Sequence, residues 1–377
     1  MSDYTHLGPF SDLVDAARRS RPLPPPARPG PETQRAVLDA LWFAPGPAQP
    51  QAVAVERTWE RDGVAGEEVS WSPGYGPRTR AWLLRPAGAN GQLPGVVALH
   101  DHSGFKYYGK EKIADGPDDT PGVLVPLRER CYGGRAWANA LARDGFAVLV
   151  PDTFLWGSRR FPWEIVSGDR DAPEEISAYN AAAGPHEHVV EKYCSVLGTT
   201  LAGIISYEDR MAAAYLGSRP DVDSGAIGCL GLSGGGCRAA LLGATCGQVR
   251  ATGIVGMMST YEGLLDRNIA GHTWMFFPQG WSRHGDWPDL AACRAPSPLL
   301  VQYDREDGLF TPEGMEAAHR RLAAHYESVG HPEGYEGQFY PGPHKFDLEM
   351  QGAAFAWLAG QLKGESEREV GPGEWRG

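Results

Sequence analysis

The sequence predicts an α/β protein with a mostly parallel sheet, helices on both faces and lid-like insertions. Three observations carry that expectation. Short apolar runs rich in β-branched residues, such as LPGVVALH (93–100), GFAVLVPD (145–152) and SPLLVQYD (297–304), have the unbroken hydrophobicity of strands buried on both faces. Helical patterns separate these runs, and strands alternating with helices impose right-handed crossovers in one parallel sheet. Glycine closes some of the helical patterns, as Gly145 does after 135–144, where a residue free to turn left-handed stops a helix.

Residues 1–50 hold the Pro-rich run RPLPPPARPGP (21–31) between helical pieces at 12–19 and 32–42. Proline orders such a segment at low entropic cost, so it is expected to pack on the main domain as an extension. Strands are expected at 52–60, 67–71 and 79–85 before the α/β alternation begins. The strand at 93–100 is followed by a helix at 135–144, a strand at 145–152 and a long periodic helix at 199–216. Then come strand 225–233, small-residue helix 234–245, strand 251–259, strand 297–304, helix 312–330, strand 337–342 and closing helix 347–362. The expected organisation is one main domain over 51–363, with insertions at about 103–134, 153–195 and 260–290, and a tail at 364–377. Long insertions in a compact α/β domain build lids and pockets.

The chain has 377 residues, 42% hydrophobic and 22% charged, which is enough to bury a sizeable core. A net charge of −12 argues against nucleic acid, whose phosphates require a basic face, and against a polybasic membrane contact. No window approaches the roughly 18 apolar residues of a membrane span, and the N-terminus lacks a basic segment followed by an apolar run. Six scattered cysteines without a CxxC pair read as reduced thiols, and the expected location is the cytoplasm.

Gly231-Leu232-Ser233-Gly234-Gly235 is a G-x-S-x-G motif placed between a buried strand and a helix. A serine at so sharp a strand-to-helix turn needs small neighbours two residues away, and its hydroxyl then projects above the sheet edge over a helix N-terminus. Beyond the strand 297–304 lies an acidic loop in which Asp307 is the candidate partner acid, with Asp304 as competitor and Glu306 as a third choice. His344 follows on the loop GPHKF (342–346), 37 residues after Asp307, which itself lies 74 residues after Ser233. Serine, acid and histidine in that order, each just past a strand, suit nucleophilic catalysis: His344 takes the hydroxyl proton, Asp307 orients the imidazole, and Ser233 attacks an acyl carbon. Backbone N–H groups of Gly234 and His102, with Ser103 as the alternative to His102, are the candidate donors to the oxyanion.

At these residues the chain resembles the α/β-hydrolase superfamily. HDHSGFKYYGKEKI (100–113), GLSGGG (231–236), the Asp307 loop and GPHKF look like the branch of dienelactone hydrolases and acetyl xylan esterases, over about residues 60–363. The resemblance implies an α/β-hydrolase fold with an eight-stranded sheet, and a serine esterase acting without cofactor or metal on a small-molecule ester such as a sugar or aryl ester. The chain departs from that pattern in having Ser233 where dienelactone hydrolases have cysteine, Asp304 where a glycine is usual, and His-Asp-His at 100–102 where His-Gly is more common.

Aromatic residues in the insertions, namely Phe105, Tyr108, Trp156, Trp274 and Phe277, are candidates for the substrate pocket, against the alternative that they pack the insertions onto the core. Lys106, Lys110 and Lys112 read as solvated charges, or as contacts for a substrate carboxylate. Serine peptidase and acyltransferase chemistry are the alternatives on the same fold. Metal-dependent hydrolysis is the alternative of another class, resting on His100-Asp101-His102 and His186-Glu187-His188, neither of which has a recognised ligand spacing.

Overall fold

A computed structural model describes residues 4–163 and 172–363. Its strands are β1 (Gln51–Arg61), β2 (Val64–Ser72), β3 (Thr79–Pro86), β4 (Leu93–Leu99), β5 (Ala147–Pro151), β6 (Val222–Leu232), β7 (Val249–Val255), β8 (Leu299–Asp304) and β9 (Tyr335–Tyr340). They form one sheet in the order β1-β2-β3-β5-β4-β6-β7-β8-β9. The six strands from β5 to β9 in that order are parallel, and β1, β2 and β3 join as an antiparallel edge. Nine strands replace the eight implied by the resemblance. The outermost, β1, is largely exposed on both faces and holds to the rest through its ladder with β2. Its Glu56, Arg57, Glu60 and Arg61 keep that edge charged, which discourages pairing with another chain.

The helices are α1 (Leu13–Ser20), α2 (Pro31–Ala40), α3 (Val125–Tyr132), α4 (Trp137–Arg143), α5 (Pro173–Val196), α6 (Leu201–Gly217), α7 (Gly234–Thr245), α8 (Trp287–Ala291), α9 (Pro312–Ser328) and α10 (Leu348–Leu362). The pleat divides the core into two layers. Val97 and Leu99 of β4, with Leu149 of β5, face residues of α6, α7 and α9 such as Ile205, Leu241 and Leu322. The alternate residues Val96, Ala98 and Val148 face Leu141 of α4 and Phe355 and Leu358 of α10. Period-two burial on central strands is thus satisfied on both sides. Small residues let the layers close tightly: a Cβ added at Gly243 of α7 would lie 2.5 Å from the Thr252 hydroxyl of β7.

In the N-terminal stretch, Val37 and Leu41 are fully covered, and Gln34 Nε2 donates to Ala244 O of α7 at 3.2 Å. The first insertion holds α3, the second α5, and the third a series of tight turns and α8. The expected tail at 364–377 and residues 164–171 of the second insertion lie outside the described residues. Among the described residues no helix is long and apolar enough to cross a membrane. All six cysteines are buried and unpaired.

Candidate active site

The chemistry-bearing residues gather where β4, β6, β8 and β9 end. Ser233 follows β6 and caps α7 with φ 58° and ψ −122°, a backbone conformation that an L-residue holds only when its surroundings force it. The neighbouring glycines supply that force. A Cβ at Gly231 would sit 2.5 Å from the Gly235 carbonyl carbon, and one at Gly235 would strike Leu99 O at the end of β4. No residue with a side chain fits either position without moving the sheet.

His344, on the loop after β9, and Asp307, three residues past the end of β8, form a short pair: His344 Nδ1 lies 2.6 Å from Asp307 Oδ2. Asp307 Oδ1 accepts from the Leu309 N–H at 2.9 Å, so the carboxylate is held at both oxygens. Burial would lower His344, but the hydrogen bond and charge of Asp307, helped by Asp304 and Asp101, outweigh it and hold the imidazole above its ordinary value. Nε2 is buried and has no hydrogen-bond partner among the described residues, Ser233 Oγ included. Hydroxyl and imidazole line the same cavity, and such contacts commonly tighten only around substrate.

Asp304, the last residue of β8, is bonded differently. Its Oδ2 accepts from the Lys345 N–H at 3.0 Å, and its Oδ1 has no partner among the described residues. Burial raises its carboxyl to about 7. Ligating atoms of Asp304, Asp307 and His344 lie within 4.8 Å of one another.

The loop after β4 lies against the start of α7: a Cβ added at Gly234 would be 2.7 Å from His102 N. Among the described residues neither the His102 nor the Gly234 N–H has an acceptor in the chain. Ser103 (φ 47°) and Gly104 (φ 64°) are both left-handed, and His102 Nδ1 accepts from the Gly104 N–H at 3.0 Å. His102 Nε2 faces Glu187 of α5 at 3.0 Å. The buried Glu187 carboxylate also accepts from Lys106 Nζ, from Thr273 Oγ1 at 2.7 Å and from the Trp274 N–H at 3.2 Å, tying all three insertions together. Burial opposes its ionisation, yet His102 and Lys106 hold it well below the ordinary carboxylate value.

The lysine run departs from expectation. Lys106, Lys110 and Lys112 are 2%, 5% and 0% exposed, and each is paired with an internal carboxylate, Glu187, Asp152 and Asp101 respectively. None is solvated or free for substrate. The loop 100–113 closes over its own charges, which sequence spacing alone does not disclose.

The cavity beside Ser233 has a volume of about 430 Å³. Besides Ser233, His344, His102 and Gly234, it is bordered by Arg130, Met257, His272, Thr273 and Leu309 among others. None of the five expected aromatic residues lies on it. Phe105 stacks on Tyr108, Trp156 is buried beneath Lys106, Trp274 Nε1 donates to His188, and Phe277 packs on Tyr261 and Phe276. These rings spend their apolar area fixing the insertions to the core. Sequence reasoning missed His272, whose ring burial lowers to about 4 and leaves neutral at pH 7.

The two histidine runs are not gathered around a common point. His100 Nδ1 lies 3.1 Å from Asp101 O, His102 is engaged with Glu187, His186 packs against Phe161 and Trp163, and His188 accepts from Trp274.

No family model matches the chain. It is 22% identical over 285 residues to YtaP of Bacillus subtilis (strain 168), a protein named as a candidate hydrolase; the match spans 75% of this chain and 83% of YtaP. A candidate acetyl xylan esterase of Bacteroides fragilis superposes with a TM-score of 0.62 at 18% identity, over 82% of this chain and 74% of that one. A glucuronoyl esterase of Solibacter usitatus superposes with a TM-score of 0.60 at 14% identity, over 88% and 91%. The fold is that of the α/β-hydrolases. Acetyl xylan esterase 1 of Thermoanaerobacterium sp. JW/SL YS485 shares it, with a TM-score of 0.53 at 13% identity, over 91% and 98%. On this sheet the turn after β6 and the loop after β9 border one cavity, which Ser233 and His344 both line, and Asp307 from the loop after β8 meets His344 behind it.

Proposed function

We propose that this chain hydrolyses carboxylic esters through an acyl-enzyme formed on Ser233. The observation that carries the reading is that His344, paired with Asp307 at 2.6 Å, borders the same cavity as a serine held at a strained turn. His344 Nε2 takes the Ser233 hydroxyl proton as Oγ attacks the acyl carbon, and returns it to the leaving alcohol. Asp307 keeps Nδ1 protonated and stabilises the imidazolium. The His102 and Gly234 N–H groups receive the oxyanion, each contributing about 3 kcal/mol to the transition state. Water, activated in turn by His344, then releases the acid.

A cavity of about 430 Å³ suits a small acyl group on a sugar or aryl alcohol, and neighbours named as acetyl xylan and glucuronoyl esterases support an ester of that kind. The test is release of p-nitrophenol from esters of rising chain length, beside acetylated sugars. Ser233→Ala is expected to abolish turnover, and a serine-directed phosphonylating reagent to inactivate the protein stoichiometrically. A chelator is expected to leave the rate unchanged. Full activity in Ser233→Ala would overturn the reading, and loss of activity with chelator alone would favour metal-dependent hydrolysis.

A further inference from the structure

We propose that Lys112 is a positioning residue that aims and polarises the oxyanion donor at His102; this rests on the oxyanion role given above to that N–H. Lys112 lies on a helical turn (Lys110–Lys112) of the first insertion and is wholly buried. Its backbone is fixed from outside, since Arg128 Nε donates to Lys112 O at 3.2 Å and Arg128 Nη2 donates to Glu111 O and Ala114 O at 2.7 Å. Its ammonium donates to Asp101 O and approaches Phe105 O at 3.2 Å, His102 O at 3.5 Å and Asp101 Oδ2 at 3.3 Å. One cation therefore gathers three backbone carbonyls of the loop that follows β4.

The peptide between Asp101 and His102 is decisive. The bond is trans, so its C=O and N–H point in opposite directions. With the Asp101 carbonyl drawn to the buried ammonium, the His102 N–H is turned away from it. On that other side lies the start of α7, where a Cβ at Gly234 would stand 2.7 Å from His102 N. The cation also polarises the peptide it holds, and hydrogen bonds in a chain strengthen one another. Left-handed Ser103 next in the chain shows that the loop does not adopt this course freely. Burial lowers the ammonium from its ordinary value, while Asp101, itself bonded by Tyr132, opposes that shift and holds it in place.

Lys110 provides an internal comparison. It is also buried, but among the described residues its ammonium bonds only side chains, Glu111 and Asp152, beside the Trp82 ring. A purely structural account of buried lysine pairs predicts the same effect at both positions.

The experiment uses the full chain with p-nitrophenyl acetate as substrate and an aryl trifluoromethyl ketone as the tetrahedral probe, kcat being read on the alkaline plateau. Lys112→Met with Asp101→Asn removes both charges, and Lys110→Met with Asp152→Asn is the comparison. For the first pair, kcat is expected to fall about 10- to 100-fold with KM nearly unchanged, and the affinity for the ketone to fall in parallel. The comparison pair is expected to keep kcat within about threefold once folded, as judged by thermal unfolding. Equal losses in the two pairs, or an unchanged kcat and ketone affinity at Lys112, would each overturn the proposal. If the Lys112 pair does not fold, Lys112→Gln, which keeps a donor without charge, carries the same comparison. Retained activity in Ser233→Ala would instead overturn the underlying esterase reading.

Discussion

Asp307 Oδ2 meets His344 Nδ1 at 2.6 Å, whereas Asp304, three residues earlier and just as buried, spends its bonded oxygen on the Lys345 N–H. The two acids therefore differ in what they hold. Asp307→Asn is expected to lower kcat about 10⁴-fold, because the amide favours the wrong imidazole tautomer. Asp304→Asn is expected to stay within about tenfold of the parent enzyme. Steady-state kinetics of the two variants decide the assignment; the reverse order would make Asp304 the orienting acid.

The rate should rise with pH as His344 loses its proton. The base must be neutral, and the neighbouring carboxylates hold its charged form, so the midpoint is expected above the ordinary histidine value of about 6.5. Asp304 contributes to that shift, and Asp304→Asn should move the midpoint of the kcat/KM profile downward. An upward movement, or a flat profile from pH 5 to 9, would count against His344 as the base.

Asp304 also has a cost for the fold. Its folded value of about 7 exceeds the unfolded value of about 3.9, so the native state disfavours the ionised form. The penalty is absent below about pH 4, grows between 4 and 7, and is complete above 7. Asp304→Asn should therefore stabilise the protein at pH 8, on the order of 1–3 kcal/mol, and have little effect at pH 4. Denaturant unfolding at the two pH values measures the difference.

Glu187 has the opposite sign. Its folded value is depressed, so its contribution is present above the unfolded carboxylate value of about 4.3 and is lost as pH falls through the folded one. Glu187→Ala leaves the Lys106 ammonium buried without its carboxylate and should cost about 3–5 kcal/mol at pH 7. A loss below about 1 kcal/mol by denaturant unfolding would mean that water or another group replaces the carboxylate.

The strands and the helices between them were legible because their signals are local. Unbroken apolar runs mark buried strands, and small-residue GGGCRAALLGAT maps onto α7 at 234–245. The edge that carries the site was legible for the same reason, since each candidate residue stands just past a strand. The insertions were not. The 24-residue α5 carries Pro185 in its interior and no clear apolar stripe, so neither breaker nor periodicity signals announce a helix there. The lysine run misled because exposure is not a property of spacing. Three ammonium groups entered the interior because three distant carboxylates, Glu187, Asp152 and Asp101, were there to receive them. The five aromatic residues likewise went to packing, where large rings contribute most when covered on all sides.

The sequestered thiols give the molecule its own chronometer. Burial pushes Cys194, Cys229 and Cys293 up to about 12, so almost no thiolate exists in the native state at neutral pH. An alkylating reagent can then react at these sites only when the interior opens, and the rate of labelling counts those openings.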